Sequence, residues 1–399
     1  MVSPWNLACC FKVGNAIVTP EALSAEPLVV EKLTPSQFQS LQAEWSELLA
    51  NSHGNALFLS WAWVWSWWST WAKLLNLELY LVCVRDQQGK LLGLAPLYRH
   101  QVNYAGLTVV TRLQCIGNAW KLAPTVRSEY IGFIAESEHE LLVYQAIWQF
   151  LQSQQDWDEL VLCDMDKSSR SFRIMSALAR IHSCQLHPAS IDFGIRVPVS
   201  GDFSSYLKSL GRNTRLKLVN RRSRLAELGP IEHERVSKDK YVTFFQQLNQ
   251  LHATRWGKGC YVGASERFHL QMLSYLPSES AHCLLLRQRG EVISALYDLE
   301  LGGVRYNLQA GYLQDHHPKV SLGTLHLGYG LEQAWQTPDC QGYDLLAGGG
   351  KHSFYKQHLG KARTPFVTLQ IIRASKAWRL YPLIEKLPSK WRQWLKRSK

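Results

Sequence analysis

The sequence predicts an α/β protein with mixed sheets, built as two tandem domains of one pattern. Three observations carry this. At 399 residues the chain exceeds one ordinary domain, and two of about 150–200 residues are the natural division. Strand-like alternation and helical stripes interleave along its length instead of segregating. The order of elements in the first half then recurs in the second.

Residues 1–27 read as a loosely held leader, with Pro4, Pro20 and Pro27 and no periodicity. The first domain spans 28–200. Leu28–Leu33 reads as a strand, and Ser36–Leu49 as a helix with Phe38, Leu41, Trp45 and Leu48 on one face. Phe58–Ala72 is a second helix, Trp61, Trp65, Trp68 and Ala72 falling at helical spacing. Leu77–Arg85 and Lys90–Tyr98 form a hairpin around Asp86-Gln87-Gln88-Gly89. Strands at Leu113–Gly117, Tyr130–Ile134 and Glu159–Cys163 alternate with helices at Glu138–Ser153 and Ser168–His182.

The second domain, 201–372, opens on a basic helix at 205–228 and then repeats the order. It has a strand at Ile231–Val236, helices at Lys240–Trp256 and Glu266–Leu276, and a hairpin over Cys283–Gln288 and Val292–Leu301. A strand at Val304–Gly311, a helix at Gly323–Gln336, and strands at Tyr343–Leu346 and Phe366–Ile372 follow. Residues 373–399 form a basic, aromatic tail.

Composition excludes several classes. Hydrophobic residues at 46% fill two cores, and charged residues at 19% are too few for a disordered chain. Nine cysteines, odd in number and without a Cys-x-x-Cys pair, imply reduced thiols and neither a zinc site nor a disulfide framework. No apolar run suits a membrane span, and no signal peptide is evident, so a cytoplasmic location is expected. The net charge of +12 points to an anionic partner.

A series of short motifs then appears in the second half. Leu251-His252-Ala253-Thr254-Arg255-Trp256 precedes a Gly-rich turn at Gly257 and Gly259. The strand holding Tyr306 comes next, then Ser321-Leu322-Gly323-Thr324, and Tyr343-Asp344-Leu345 leading to Phe354-Tyr355-Lys356. In order, these resemble the GNAT acyltransferases of the CelD/BcsL type, relatives of the FemAB peptidoglycan aminoacyltransferases. Phe58–Trp71 resembles that family's Trp-rich helix, and Ser128-Glu129-Tyr130 its substrate-side motif. The likeness covers about residues 30–372.

The resemblance implies two tandem GNAT-like domains and acyl transfer to an amine or hydroxyl of a saccharide or cell-envelope precursor. The implied donor is an acyl-CoA, with aminoacyl-tRNA as the alternative. Lys356 occupies the place of the FemAB lysine that acts on donor or intermediate charge. Two departures stand out: Leu322 replaces a usual Pro, and the Gln/Arg-x-x-Gly-x-Gly/Ala pyrophosphate motif is absent. A non-catalytic GNAT-fold binding module within a polysaccharide synthesis assembly is the reading from another class.

Acyl transfer needs an anchor for donor phosphates, charge stabilisation for the oxyanion and a proton acceptor. Ser321, Gly323 and Thr324 open a helix whose first-turn N–H groups suit an anion, unless Ser321 is an ordinary cap. Gly349 and Gly350 lie in a glycine run that either cradles an anion or simply turns. Lys356 would stabilise negative charge and Tyr355 stack or donate a proton. His252 is a candidate base or a structural histidine. Glu129, Tyr130, Arg255, Tyr306 and Asp344 are candidates for holding the acceptor. No histidine pair has a ligand set around it, so no metal is expected.

Two basic stretches complete the picture. Arg212, Arg215, Lys217, Arg221, Arg222 and Arg224 lie between Phe203 and Ala226 without one acid. They either grip a polyanion or form a solvated face. The tail holds nine Lys/Arg, with Trp391, Trp394 and Leu395 on one face, as expected of an interfacial helix on anionic membrane.

Overall fold

The computed structural model describes residues 12–13, 16–17, 27–104, 108–348 and 356–373. Strands β1 (Lys12–Val13) and β2 (Ala16–Ile17) pair with each other apart from the main sheet. The first half comprises β3 (Val29–Leu33), α1 (Pro35–Ser40), α2 (Gln42–Ala50), α3 (Trp61–Trp71), β4 (Glu78–Arg85) and β5 (Leu91–Tyr104). It continues with β6 (Thr108–Cys115), β7 (Ile134–Ala135), α4 (Glu140–Ser153), β8 (Glu159–Asp166), α5 (Arg170–Ile181) and β9 (Gln185–Pro198).

Local chemistry sets the boundaries. A capping box of Thr34 and Gln37 starts α1, with Pro35 in its first turn. Ser60 caps α3 by accepting from the Trp63 N–H, and Ser169 caps α5 in the same way. The single helix expected over 36–49 is two, because Leu41 turns out of helical geometry between them. Phe38, Trp45 and Leu48 still share one core.

The second half begins with α6 (Phe203–Ser209), α7 (Arg212–Arg215), a π-helical turn at Leu216–Asn220 and α8 (Arg222–Ala226). Then come β10 (Ile231–Arg235), α9 (Tyr241–Trp256), α10 (Ala264–Tyr275), β11 (Ala281–Gln288), β12 (Glu291–Leu301) and β13 (Val304–Tyr312). The half closes with α11 (Leu322–Gln336), β14 (Gly342–Ala347) and β15 (Ala362–Ile372).

The basic segment is therefore not one helix. Leu210 and Gly211 are extended and break it. Further on, the Leu218 carbonyl lies against Gly328 of α11, so closely that a β-carbon there would sit 2.1 Å from the oxygen. The wider π-helical turn falls at this contact, as such turns do where a helix is bent to fit a neighbour.

Strands β3 to β15 form one sheet of thirteen, ordered β10-β11-β12-β13-β14-β9-β15-β8-β6-β5-β4-β3, with β7 paired to β5. The halves exchange their last strands. β9 crosses to pair with β14 of the second half, and β15 returns to pair with β8 of the first. The chain divides near residue 200 but the sheet does not. The exchange leaves no open strand edge at the centre of the molecule.

Helices α1–α3 and α9–α10 cover one face with a core common to both halves. There α3 meets α10, with the Phe268 ring 4.9 Å from Trp63 and 5.2 Å from Trp71. On the other face, α4 and α5 pack on the first half, and α11 with the α6–α8 segment on the second. The fold is mixed α/β, with helices on both faces of one mixed sheet.

Candidate active site

Strands β13 and β14 run parallel for only three pairs, ending at Tyr306 opposite Asp344. Beyond this split lies a cleft of about 960 Å³. Asn307–Ala310 of β13 form its floor, and Ser321, Gly323 and Thr324 of α11 one wall. Arg212, Thr214 and Lys217 form another, with Arg255, Trp256 and Lys356 also lining it.

Ser321 does not cap α11. Its hydroxyl lies 3.1 Å from that of Thr324 and bonds none of the first-turn N–H groups. Gly323 has a different use from the one its sequence suggests. A β-carbon there would lie 2.3 Å from Tyr312 Cε1, so the bare glycine accommodates the Tyr312 ring. Arg255 donates to the Tyr312 hydroxyl and stacks over Trp256 at 4.8 Å.

A second cleft, of about 440 Å³, adjoins the first and shares Asn307, Leu308 and Lys356 with it. Trp63, Trp71, Tyr261 and His269 form an aromatic side, Arg127 and Glu129 a charged one. Glu129 is 3% exposed, and both its oxygens accept from the Ala347 N–H at 3.0 Å. Burial pushes its pKa up to about 8, against the opposing pull of Arg127 and that N–H. Arg127 grips Asp164 through two nitrogens at 2.8 and 2.7 Å and reaches Asp192 at 2.9 Å. Lys356 Nζ donates to the carbonyls of Leu345 at 2.6 Å and Leu346 at 3.3 Å. Burial lowers its pKa, while Glu129, Asp344 and Asp192 raise it.

The structure brings some of the expected residues together and separates others. Lys356 and Glu129 line the second cleft; Lys356, Arg255, Ser321, Gly323 and Thr324 line the first. Tyr130 and Tyr306 instead line a separate cavity of about 390 Å³ between the halves. There Tyr130 donates to Asp344 Oδ2, and Tyr306 accepts from Asn55 at 3.0 Å. Asp344 is 1% exposed and lines neither cleft. Nor does His252, whose Nδ1 lies 2.8 Å from the Lys258 carbonyl and ties down the turn after α9. Tyr355, Gly349, Gly350, most of the leader and the tail beyond Arg373 lie outside the described residues.

The basic segment divides by role. Arg212 and Lys217 face the larger cleft. Arg222 pairs with Glu332 at 2.5 Å and stacks over Tyr329, while Arg224 pairs with Glu227. We expect Arg212→Glu with Lys217→Glu to weaken polyanion binding and flatten its salt dependence by about one unit of slope per lost contact. Titration of coenzyme A and of tRNA at several salt concentrations checks this; unchanged affinity for both leaves a solvated face.

Sequence reasoning missed Arg127, Asp164, Asp192, Asn307 and Tyr312. Arg127 stands two residues before Glu129 and was the one with a readable signal. Asp192 lies on β9, whose Pro188 and exposed stretch Pro188–Ile191 hide the strand pattern. Among the described residues, no group of His, Cys, Asp or Glu is arranged to hold a metal ion, and no helix is long and apolar enough to cross a membrane.

Residues 212–357 match the family model described as the acetyltransferase (GNAT) domain. No curated protein matches in sequence. Among solved structures, FemX is similar with a TM-score of 0.58 at 12% identity, covering 90% of this chain and 100% of its own. A conserved protein of unknown function from Bacteroides thetaiotaomicron VPI-5482 gives 0.50 at 9% identity, covering 87% and 100%. At these identities the likeness is one of fold.

Proposed function

We propose that the protein is an acyltransferase of the CelD/BcsL type, taking an acyl donor in the larger cleft and an amine or hydroxyl acceptor in the smaller. The observation that carries this is the meeting of the two clefts at Lys356, with Glu129 on the acceptor side. The acceptor nucleophile attacks the donor carbonyl, forming the new C–N or C–O bond. Its proton passes to Glu129. Lys356 stabilises the oxyanion, and the C–S or C–O bond to the donor breaks, its leaving atom taking a proton from water while Glu129 returns its own to solvent. The aromatic side formed by Trp63, Trp71 and Tyr261 suits a sugar ring, consistent with a cell-envelope or polysaccharide precursor met in the cytoplasm.

The donor of first choice is an acyl-CoA. One observation favours aminoacyl-tRNA as a second reading: Tyr312 occupies the approach to Gly323 that a pyrophosphate would use, while Arg212 and Lys217 remain for a polyanion. Radiolabelled acetyl-CoA and aminoacyl-tRNA, each incubated with a panel of amino sugars and lipid-linked sugars, tests the proposal. Transfer from neither donor overturns it.

A base whose pKa is raised sets the pH profile. Below about 8 Glu129 holds its proton and accepts none, so turnover is expected to rise about tenfold per pH unit toward that value and then level. Glu129→Gln should lower the plateau and abolish the rise. A pH–rate profile unaffected by Glu129→Gln assigns the base elsewhere.

A further inference from the structure

Leu346 is held in a conformation its side chain disfavours. Its φ is +57°, in the left-handed region where a β-carbon crowds the next carbonyl, and glycine is the usual occupant. Asp344 holds it there. Oδ1 accepts from the Leu346 N–H at 2.8 Å, and Oδ2 accepts from the Tyr130 hydroxyl of the other half. The register between β14 and β9 breaks over this same stretch, between Asp344 and Ala347.

The kink has two products. It turns the Leu345 and Leu346 carbonyls onto Lys356 Nζ at 2.6 and 3.3 Å. It also aims the following N–H, that of Ala347, at the Glu129 carboxylate at 3.0 Å. One strained residue thus sits between the two ionisable groups at the junction of the clefts. Strain of this kind persists only where its surroundings over-determine it, and it concentrates at working sites.

We propose that Asp344, held by Tyr130, is a positioning residue: it locks the left-handed turn at Leu346 that sets Lys356 and Glu129 relative to each other, touching neither substrate. This replaces the expectation that Asp344 and Tyr130 bind the acceptor, since both oxygens of the buried carboxylate are engaged within the protein. Tyr130 belongs to the first half and Lys356 to the second, so the site is complete only when the halves are docked. The consequence for turnover rests on the acyl-transfer reading; the geometry does not.

Lys356 offers a readout that needs no substrate. Competitive acetylation of the full-length protein with acetic anhydride, quantified by peptide mass spectrometry, measures the accessibility and nucleophilicity of each lysine. In Asp344→Ala, Lys356 is expected to acetylate at least about threefold faster relative to the other lysines, its carbonyl partners being no longer aimed at it. Transfer kcat should fall at least about tenfold with KM nearly unchanged. Adding Leu346→Gly should restore both, because glycine adopts the turn without help. Tyr130→Phe should shift both readouts the same way, more weakly, with the same rescue, and it decides the matter if Asp344→Ala fails to fold.

Wild-type acetylation and turnover in Asp344→Ala overturn the proposal. So does a loss that Leu346→Gly does not rescue, which assigns the effect to the carboxylate charge. If no donor supports transfer at all, the acetylation arm still decides, so failure of the acyl-transfer reading is distinguishable from failure of this one.

Discussion

Replacing Lys356 by Met is expected to lower acyl transfer at least about tenfold, and up to the hundred- to thousandfold typical of losing one stabilising donor. Among the described residues, Lys356 is the one basic side chain that lines both clefts. Methionine keeps most of the volume, so the melting temperature should move by no more than about 4 °C, the scale of the two hydrogen bonds lost to the Leu345 and Leu346 carbonyls. The measurement is kcat with the donor identified by the labelling screen, beside a thermal melt. Full activity in Lys356→Met rules out its charge as a catalytic element.

The second large effect concerns stability. Arg112 on β6 and Glu159 on β8 are 1% and 0% exposed and pair at 2.5 Å, and Gln370 of the returning strand β15 donates to the second oxygen of Glu159. Arg112→Met leaves that carboxylate buried without its counter-charge, at a cost of about 3–5 kcal/mol. The melting temperature should drop by about 5–10 °C. Arg112→Met combined with Glu159→Met should recover most of the loss, since two apolar side chains need no pairing. A single substitution costing under about 1 kcal/mol would mean that water reaches the pair. Because Gln370 sits on β15 of the second half and Glu159 on β8 of the first, this variant also reports whether both halves melt together.

The elements readable from sequence were those whose own residues carry the signal. Trp61, Trp68 and their neighbours mark α3 by spacing, although the helix begins at Trp61 after its Ser60 cap and not at Phe58. The turn Asp86–Gly89 marks a hairpin because the Asp86 carboxylate accepts from the Gln88 and Lys90 N–H groups, and Gly89 takes φ +86°. What failed were elements that exist by virtue of a partner. β9 has weak alternation and is a strand because β14 and β15 flank it. The basic segment looks like one helix until Gly328 of α11 takes in the Leu218 carbonyl.

The candidate site divides along the same line. Lys356, Glu129 and Arg255 were singled out from residue type and order, and all three line the clefts. Tyr130, Tyr306 and Asp344 were singled out too; the structure bonds Tyr130 to Asp344 and Tyr306 to Asn55, and sets all three outside both clefts. Residue type declares what chemistry a side chain has available, and hydrogen-bond partners decide whether any of it is left for a ligand.

The sequence by itself determined the mixed α/β class, the doubled order of elements and the residue types available for acyl-transfer chemistry, because each depends on local periodicity, turn residues and composition. Only the tertiary structure decided that the halves exchange strands, that Gly323 serves Tyr312, and that Glu129 and Lys356 face one junction. Those outcomes depend on contacts between residues up to about two hundred positions apart, such as Glu129 with Ala347, and no local pattern in the chain encodes which distant group will fill the other half of a bond.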